Sequence, residues 1–182
     1  MAGLPEVIDV IARERRPSLV GYAFLICGSM PESEQAAQDA IIGVLSRAKG
    51  SLTARDAQDL IATRIVKNFL DGDRRDATGK SREAAEVTPN RVRRSEPWMG
   101  IHAEIHDALE ELTVAERACV VLRHVGQRST AQIASLTRLS TTTVDRYLEN
   151  AIDKIETSLE ASGQPRDPQA MVRAALRTGA AP

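Results

Sequence analysis

Aromatic side chains are scarce in this chain of 182 residues, which holds one Trp, two Tyr and two Phe. A core must therefore be assembled mainly from Ala, Leu, Ile and Val. That composition, dense in Glu and Arg and with few alternating β-branched runs, predicts an all-α protein. Cysteine is nearly absent too. Cys27 and Cys119 stand far apart, each inside an apolar helical pattern, with no C-x-x-C or Cys/His spacing for zinc. Both read as small buried hydrophobes, which fits a reduced, cytoplasmic compartment. No stretch approaches the ~20 apolar residues of a membrane span. The N-terminal MAGLPEVIDVIARERR lacks the basic-then-apolar layout of a secretion signal. There is no glycine-rich phosphate loop and no nucleophile motif, so neither an enzyme nor a cofactor is expected. His102 and His106 lie four apart, but HAEIH lacks the Glu that directly follows the first His in zinc proteases, and no third ligand is evident. No metal site is expected. Overall basicity is also missing: the net charge is −1 and the pI about 6.3. Binding to a DNA backbone requires Lys and Arg to displace counterions, so any affinity for DNA must come from a local basic patch or from a larger partner.

What is present is a clear helical pattern near the C-terminus. Thr113-x-x-Glu116 precedes the apolar run Val120, Val121, Leu122, and Ser129-x-x-Gln132 precedes Ile133 and Ala134. In each, the hydroxyl can accept from an early backbone N–H while the carboxylate or amide reaches back, a helix-start signal. A short break at Thr137–Leu139 separates the second segment from a third, Thr141–Leu159, in which Val144, Leu148, Ile152 and Ile155 recur at helical spacing. A short helix, a tight turn and a longer second helix is the helix-turn-helix pattern, whose second helix can enter the DNA major groove. An αα-hairpin that only packs is the alternative. At the turn, where glycine usually supplies a left-handed conformation, the chain has Arg138, at an expected cost of about 1–2 kcal/mol.

The N-terminal part reads as a separate set of helices. Glu6–Arg15 carries Val7, Ile8, Val10 and Ile11, and Pro17 suits the first turn of a second helix that ends at Gly28. Ser29-x-x-Glu32 opens a third helix to about Ala48, with Ala37, Ala40, Ile41, Val44 and Ala48 inward. Gln35, Gln38, Asp39, Ile42 and Ser46 lie on its other side, a mixed face that suits a partner protein. Thr53-x-x-Asp56 opens a fourth helix to about Arg75. There Ile61, Ile65, Asn68 and Phe69 are spaced to face the core, while Arg64, Lys67, Asp71 and Arg74, with Arg75 beside them, form a mainly basic stripe. Residues 76–100 are polar and aperiodic, with Arg91, Arg93, Arg94 and the lone Trp98, and read as a flexible linker. Residues 161–182 form a tail with one weak amphipathic stretch at Gln169–Thr178.

Taken together, the motifs resemble the extracytoplasmic-function (ECF, group 4) sigma factors of the sigma-70 family. These are minimal factors with a σ2 domain, a linker and a σ4 domain. The resemblance rests on RPSLVGYAFLICGS, SEQAAQDAIIGVLSRA, RIVKNFLDGDRR and ELTVAERACVVLRHVGQRSTAQIASLTRLSTTTVDRYLENAIDKI, in that order. It implies two small helical domains: a σ2-like bundle in residues 1–75 and a σ4-like helix-turn-helix in residues 101–160. It also implies the roles of particular residues. Gln38, Asp39 and Ile42 would contact the β′ subunit of core RNA polymerase. Arg64, Lys67, Asn68, Asp71, Arg74 and Arg75 would lie at or beside the melted −10 promoter element, with the Ala48–Asp56 loop holding a flipped base. Thr141, Thr142, Thr143, Asp145 and Arg146 would face the −35 element. The linker would thread toward the RNA exit path of the polymerase, past its β and β′ subunits, and an anti-sigma factor would hold the free protein.

Two departures from the family pattern bear on these roles. Gln35-Ala36-Ala37 replaces an acidic residue and bulky aliphatics, which alters the β′ contact. The reading helix carries Asp145, Glu149, Asp153 and Glu156 against only Arg146 and Lys154, so its phosphate contacts would be few. Promoter affinity would then rest on the polymerase, or on an unusual −35 sequence, and Asp145 would serve the helix N-terminus by its charge. Two further readings follow from the same residues. One is a sigma-derived protein that binds polymerase or a regulator without reading promoters. The other is an autonomous helix-turn-helix regulator, against which stands the lack of any purpose for RIVKNFLDGDRR.

Overall fold

The computed structural model describes residues 4–48, 52–79 and 103–161; for 73–79 and 103–106 only the backbone is described. The described residues are helical and contain no strand. The helices are α1 (Leu4–Val10), α2 (Arg16–Cys27), α3 (Met30–Leu45), α4 (Ala54–Gly79), α5 (Ala103–Glu110), α6 (Val114–His124), α7 (Thr130–Thr137) and α8 (Thr141–Ala161). A wider, π-helical turn, Ile11–Arg15, joins α1 to α2. Pro17 accounts for it: the proline lacks an N–H, and its ring would strike the carbonyl of Arg13 in a regular helix.

Local chemistry fixes the helix ends. Gly28 closes α2 at φ 73, and its N–H donates to the carbonyl of Phe24. Ser29 stands before α3 in extended conformation, but its hydroxyl caps nothing. Ser33 instead donates its hydroxyl to the Ser29 carbonyl, so the expected box at Ser29 does not form. Thr53 does cap α4, accepting from the Asp56 N–H at 3.1 Å. Helix α4 continues to Gly79, past the expected end near Arg75.

The core is aliphatic, as the shortage of aromatics requires. Helix α2 packs on α3 and α4, and α3 packs on α4. Leu19, Ile26, Ile61 and Ile65 are fully buried there. On α4 the inward residues are Ala57, Ile61, Ile65, Val66 and Leu70, whereas Asn68 is exposed and Phe69 only partly covered. The sequence spacing had placed Asn68 inward. The core stripe instead advances through Val66 and Leu70, because a helix face shifts by a fraction of a turn every seven residues. In the second half α5, α6 and α7 pack on α8, with Leu122, Ile133 and Ile155 buried. Both cysteines are free and buried. Burial above all pushes each thiol up to about 11, so neither is a reactive thiolate at neutral pH.

The two sets of helices also touch. Helix α6 rests on α2 and α4, and α7 rests on α4, so the buried apolar residues of both sets form one cluster. Arg117 of α6 is buried in this junction. It donates through Nη1 to the carbonyl of Ile26 and through Nη2 to that of Glu110, each at 3.3 Å.

A partly buried ion pair stabilises the second half. Glu116, the third residue of α6, accepts from the Thr113 N–H at 3.0 Å and from Lys154 Nζ of α8 at 2.7 Å. Burial by itself would raise this carboxyl. The Lys154 ammonium and the Thr113 hydrogen bonds outweigh it, and the pKa falls below its ordinary 4.5. A depressed carboxylate pKa gives stability that is complete above 4.5 and lost as pH falls through the folded-state value. Glu116→Gln is therefore expected to be less stable than the parent at pH 7, with the gap narrowing as pH falls below 4.5. Urea unfolding at a series of pH values, followed by circular dichroism, checks this; a gap independent of pH would exclude the ion pair as its source.

Candidate nucleic-acid interface

Helices α3 and α4 leave a groove of about 610 Å³ between them, lined by Gly43, Val44, Arg47, Ala48, Leu52, Leu60, Thr63, Arg64, Lys67, Asn68 and Asp71. Its size falls in the range of pockets that take small ligands. Lys67 and Asn68 lie three and four residues from both Arg64 and Asp71, so a single face of α4 presents all of them. The aliphatic wall comes from Val44, Leu52 and Leu60, the last half exposed.

Arg64 lies against α3, over Gly43. A Cβ at residue 43 would stand 2.7 Å from Arg64 Nε and would push the guanidinium from this position. The Nε is buried and has no hydrogen-bond acceptor among the described residues. A buried donor without an acceptor is costly, and an oxygen or ring nitrogen entering the groove would relieve that cost. With Arg47 and Lys67 also present, the groove suits an anionic ligand with a flat or apolar portion. Arg74 and Arg75 belong to the backbone of α4, but their side chains lie outside the described residues.

Gln38, Asp39 and Ile42 occupy a different face of α3 and are all exposed, Ile42 at 56%. Gln35 Nε2 donates to Asp39 Oδ1 at 2.9 Å, so the departure at Gln35 reaches the neighbouring acid directly. This exposed aliphatic among polar groups is separate from the groove.

The second constellation is the pair α7 and α8. Both expected capping boxes are present. Thr113 and Glu116 exchange hydrogen bonds at the start of α6, and Ser129 and Gln132 do so at the start of α7. Arg138 ends α7 in the left-handed region at φ 57, ψ 34. Its N–H donates to Ala134, and the Leu139 N–H reaches the same carbonyl. Ser140 caps α8, accepting from the Thr143 N–H at 3.0 Å. Val144, Leu148, Ala151, Ile155 and Leu159 face inward. Thr141, Thr142, Asp145 and Arg146 are exposed at the start of α8, and Thr143 is half-buried. Thr130 Oγ1 donates to Asp145 Oδ1 at 3.1 Å, tying the first turns of the two helices together. The Arg146 guanidinium lies 5.8 Å from the centre of the Tyr147 ring. Further along, Glu149, Asp153 and Glu160 leave the exposed side acidic.

Residues 102–155 match the family described as Sigma-70, region 4. The match takes in the region from α5 into α8, including both capping boxes and the left-handed turn. No curated protein matches the chain.

Sequence reasoning did not find Gly43, Arg47, Leu60 or Thr63 as groove residues. Gly43, in the middle of an otherwise good helix, was the available signal, because an interior glycine often marks a close approach. Arg91, Arg93, Arg94, Trp98, His102 and the tail from residue 162 lie outside the described residues. Among the described residues no cluster of three or more His, Cys, Asp or Glu could hold a metal ion, and no helix is long and apolar enough to cross a membrane.

Proposed function

We propose that the chain is a sigma factor of extracytoplasmic-function type, a subunit that brings core RNA polymerase to promoters and performs no chemistry itself. The observation that carries this reading is the cationic groove between α3 and α4, in the same chain as a region 4 helix-turn-helix. A helix-turn-helix alone fits many regulators. A second nucleic-acid surface of this shape fits a protein that also holds opened DNA. In single-stranded binding, a cationic track takes the backbone and a pocket takes an unstacked base.

In this assignment Arg64, Lys67, Asn68 and Asp71 line the place of the non-template strand of the −10 element, with Arg74 and Arg75 continuing along α4. The exposed face of α3 carrying Gln38, Asp39 and Ile42 meets the β′ subunit. Thr141, Thr142, Thr143, Asp145 and Arg146 face the −35 element. Residues 1–75 and 101–160 act as the σ2-like and σ4-like units, with 76–100 as the linker and 161–182 as the tail. An anti-sigma factor holds the free protein in the cytoplasm. The acidic outer side of α8 supports a second reading, a sigma-derived protein that binds polymerase without reading promoters.

Run-off transcription with purified core polymerase on genomic fragments separates the two. Discrete promoter-specific products are expected from the first. Polymerase binding without products would establish the second, and DNA binding without polymerase would point to an autonomous regulator.

A further inference from the structure

Arg128 immediately precedes the capping residue of α7 and is held firmly in place. Its N–H donates to the carbonyl of Leu122, and its own carbonyl accepts from Arg123 Nη1 at 3.2 Å. Gly126 makes this tight reversal possible, because a Cβ there would stand 2.9 Å from the Leu122 carbonyl oxygen. The Thr130–Asp145 hydrogen bond puts the start of α7 beside the start of α8. Arg128 therefore belongs to the end of the module that presents the reading helix. When a helix-turn-helix lies on DNA, its first helix crosses the sugar-phosphate backbone, and arginines at this edge take phosphates.

In this structure the Arg128 guanidinium is already occupied. Its Nη2 donates to Asp59 Oδ2 of α4 at 3.1 Å, with the two side chains 23% and 66% exposed. The contact joins residues 69 positions apart, between the two sets of helices. It forms where α7 rests on α4, beside the junction anchored by Arg117.

We propose that Asp59 stands in for a DNA phosphate: its carboxylate occupies Arg128 while α6 and α7 rest on α2 and α4, and region 4 meets duplex DNA only once this contact opens. The inference rests on the reading of α7 and α8 as a DNA-binding module. An exposed ion pair of this kind is weak, which suits a latch that a stronger phosphate contact displaces.

The test uses the full chain and a fluorescein-labelled duplex of promoter-length DNA, titrated by polarisation at several low salt concentrations. Asp59→Asn removes the competing charge and keeps Arg128. Affinity is expected to rise about threefold, and the salt dependence to steepen by about one phosphate. Arg128→Ala alone is expected to change little, because the side chain is already taken. Combining Asp59→Asn with Arg128→Ala is expected to cancel the gain. If Asp59→Asn leaves affinity and salt slope unchanged, the latch does not exist. If the gain survives in the double variant, it reflects only the loss of a negative charge, and the proposal is equally overturned. Failure of every variant to bind DNA would instead remove the DNA-binding reading of α7 and α8.

Discussion

Replacing Arg64, Lys67 and Arg74 together by Ala is expected to lower promoter opening by roughly 100-fold or more while leaving binding to core polymerase nearly unchanged. Each good polar contact to a base is worth about 1–3 kcal/mol, and each 1.4 kcal/mol is a factor of ten, so losing several exceeds that ratio comfortably. Arg64 and Lys67 line the groove, and Arg64 also closes it against α3 over Gly43. Gln38, Asp39 and Ile42 lie on the exposed side of α3, away from these residues. Permanganate reactivity of the −10 region measures opening, and fluorescence titration with core enzyme measures assembly. Equal losses in both would mean that the basic face of α4 meets the polymerase rather than DNA. Circular dichroism at matched concentration shows that the helices remain.

Arg117→Ala is expected to cost about 3 kcal/mol of stability. Arg117 is buried and donates to two carbonyls at helix ends, Ile26 of α2 and Glu110 of α5. Removing the side chain leaves both acceptors buried without this donor and opens a hole in the junction. Each unsatisfied acceptor costs about 1–3 kcal/mol, and breaking a buried charged interaction falls in the same range. Burial lowers the pKa of Arg117 and the nearby Glu110 opposes this, while its Nε finds no hydrogen-bond partner among the described residues. Arg117→Lys retains a charge but cannot reach two carbonyls with one planar fork, so it is expected to recover less than half of the loss. Urea unfolding midpoints measure both. A change below about 1 kcal/mol for Arg117→Ala would show that the junction adds nothing to stability.

Much of the second half was legible in the sequence because its determinants are local. The boxes at Thr113 and Ser129 each lie within four residues, and the left-handed turn at Arg138 was marked by the break between two apolar patterns. The mainly aliphatic core followed from the shortage of aromatics. Ser29 does open α3, but without a side-chain cap, and the hydroxyl engaged at this end is that of Ser33, one turn along, on the Ser29 carbonyl. Asn68 was misplaced because positions 68 and 69 both follow Ile65 at helical spacing; only packing against α2 and α3 decides which edge of the stripe is covered. The partners of Arg117 and Arg128 could not be read at all. What distinguishes both arginines from other charges is a carbonyl or carboxylate from a distant part of the chain.

The junction at Arg117 also has a bearing on the order in which the molecule assembles. Ile26 and Arg117 are 91 positions apart, whereas the contacts within each set of helices close much shorter loops. The entropy lost in closing a loop grows with the logarithm of its length, and contacts of long sequence separation form late. Each set of helices is therefore expected to collapse by itself, with docking of α6 onto α2 as the final event. Parts of a protein joined through such a late contact can separate without unfolding. On the proposed reading, parting at this junction would leave each cluster of helices its own packing while the two engage separate stretches of DNA.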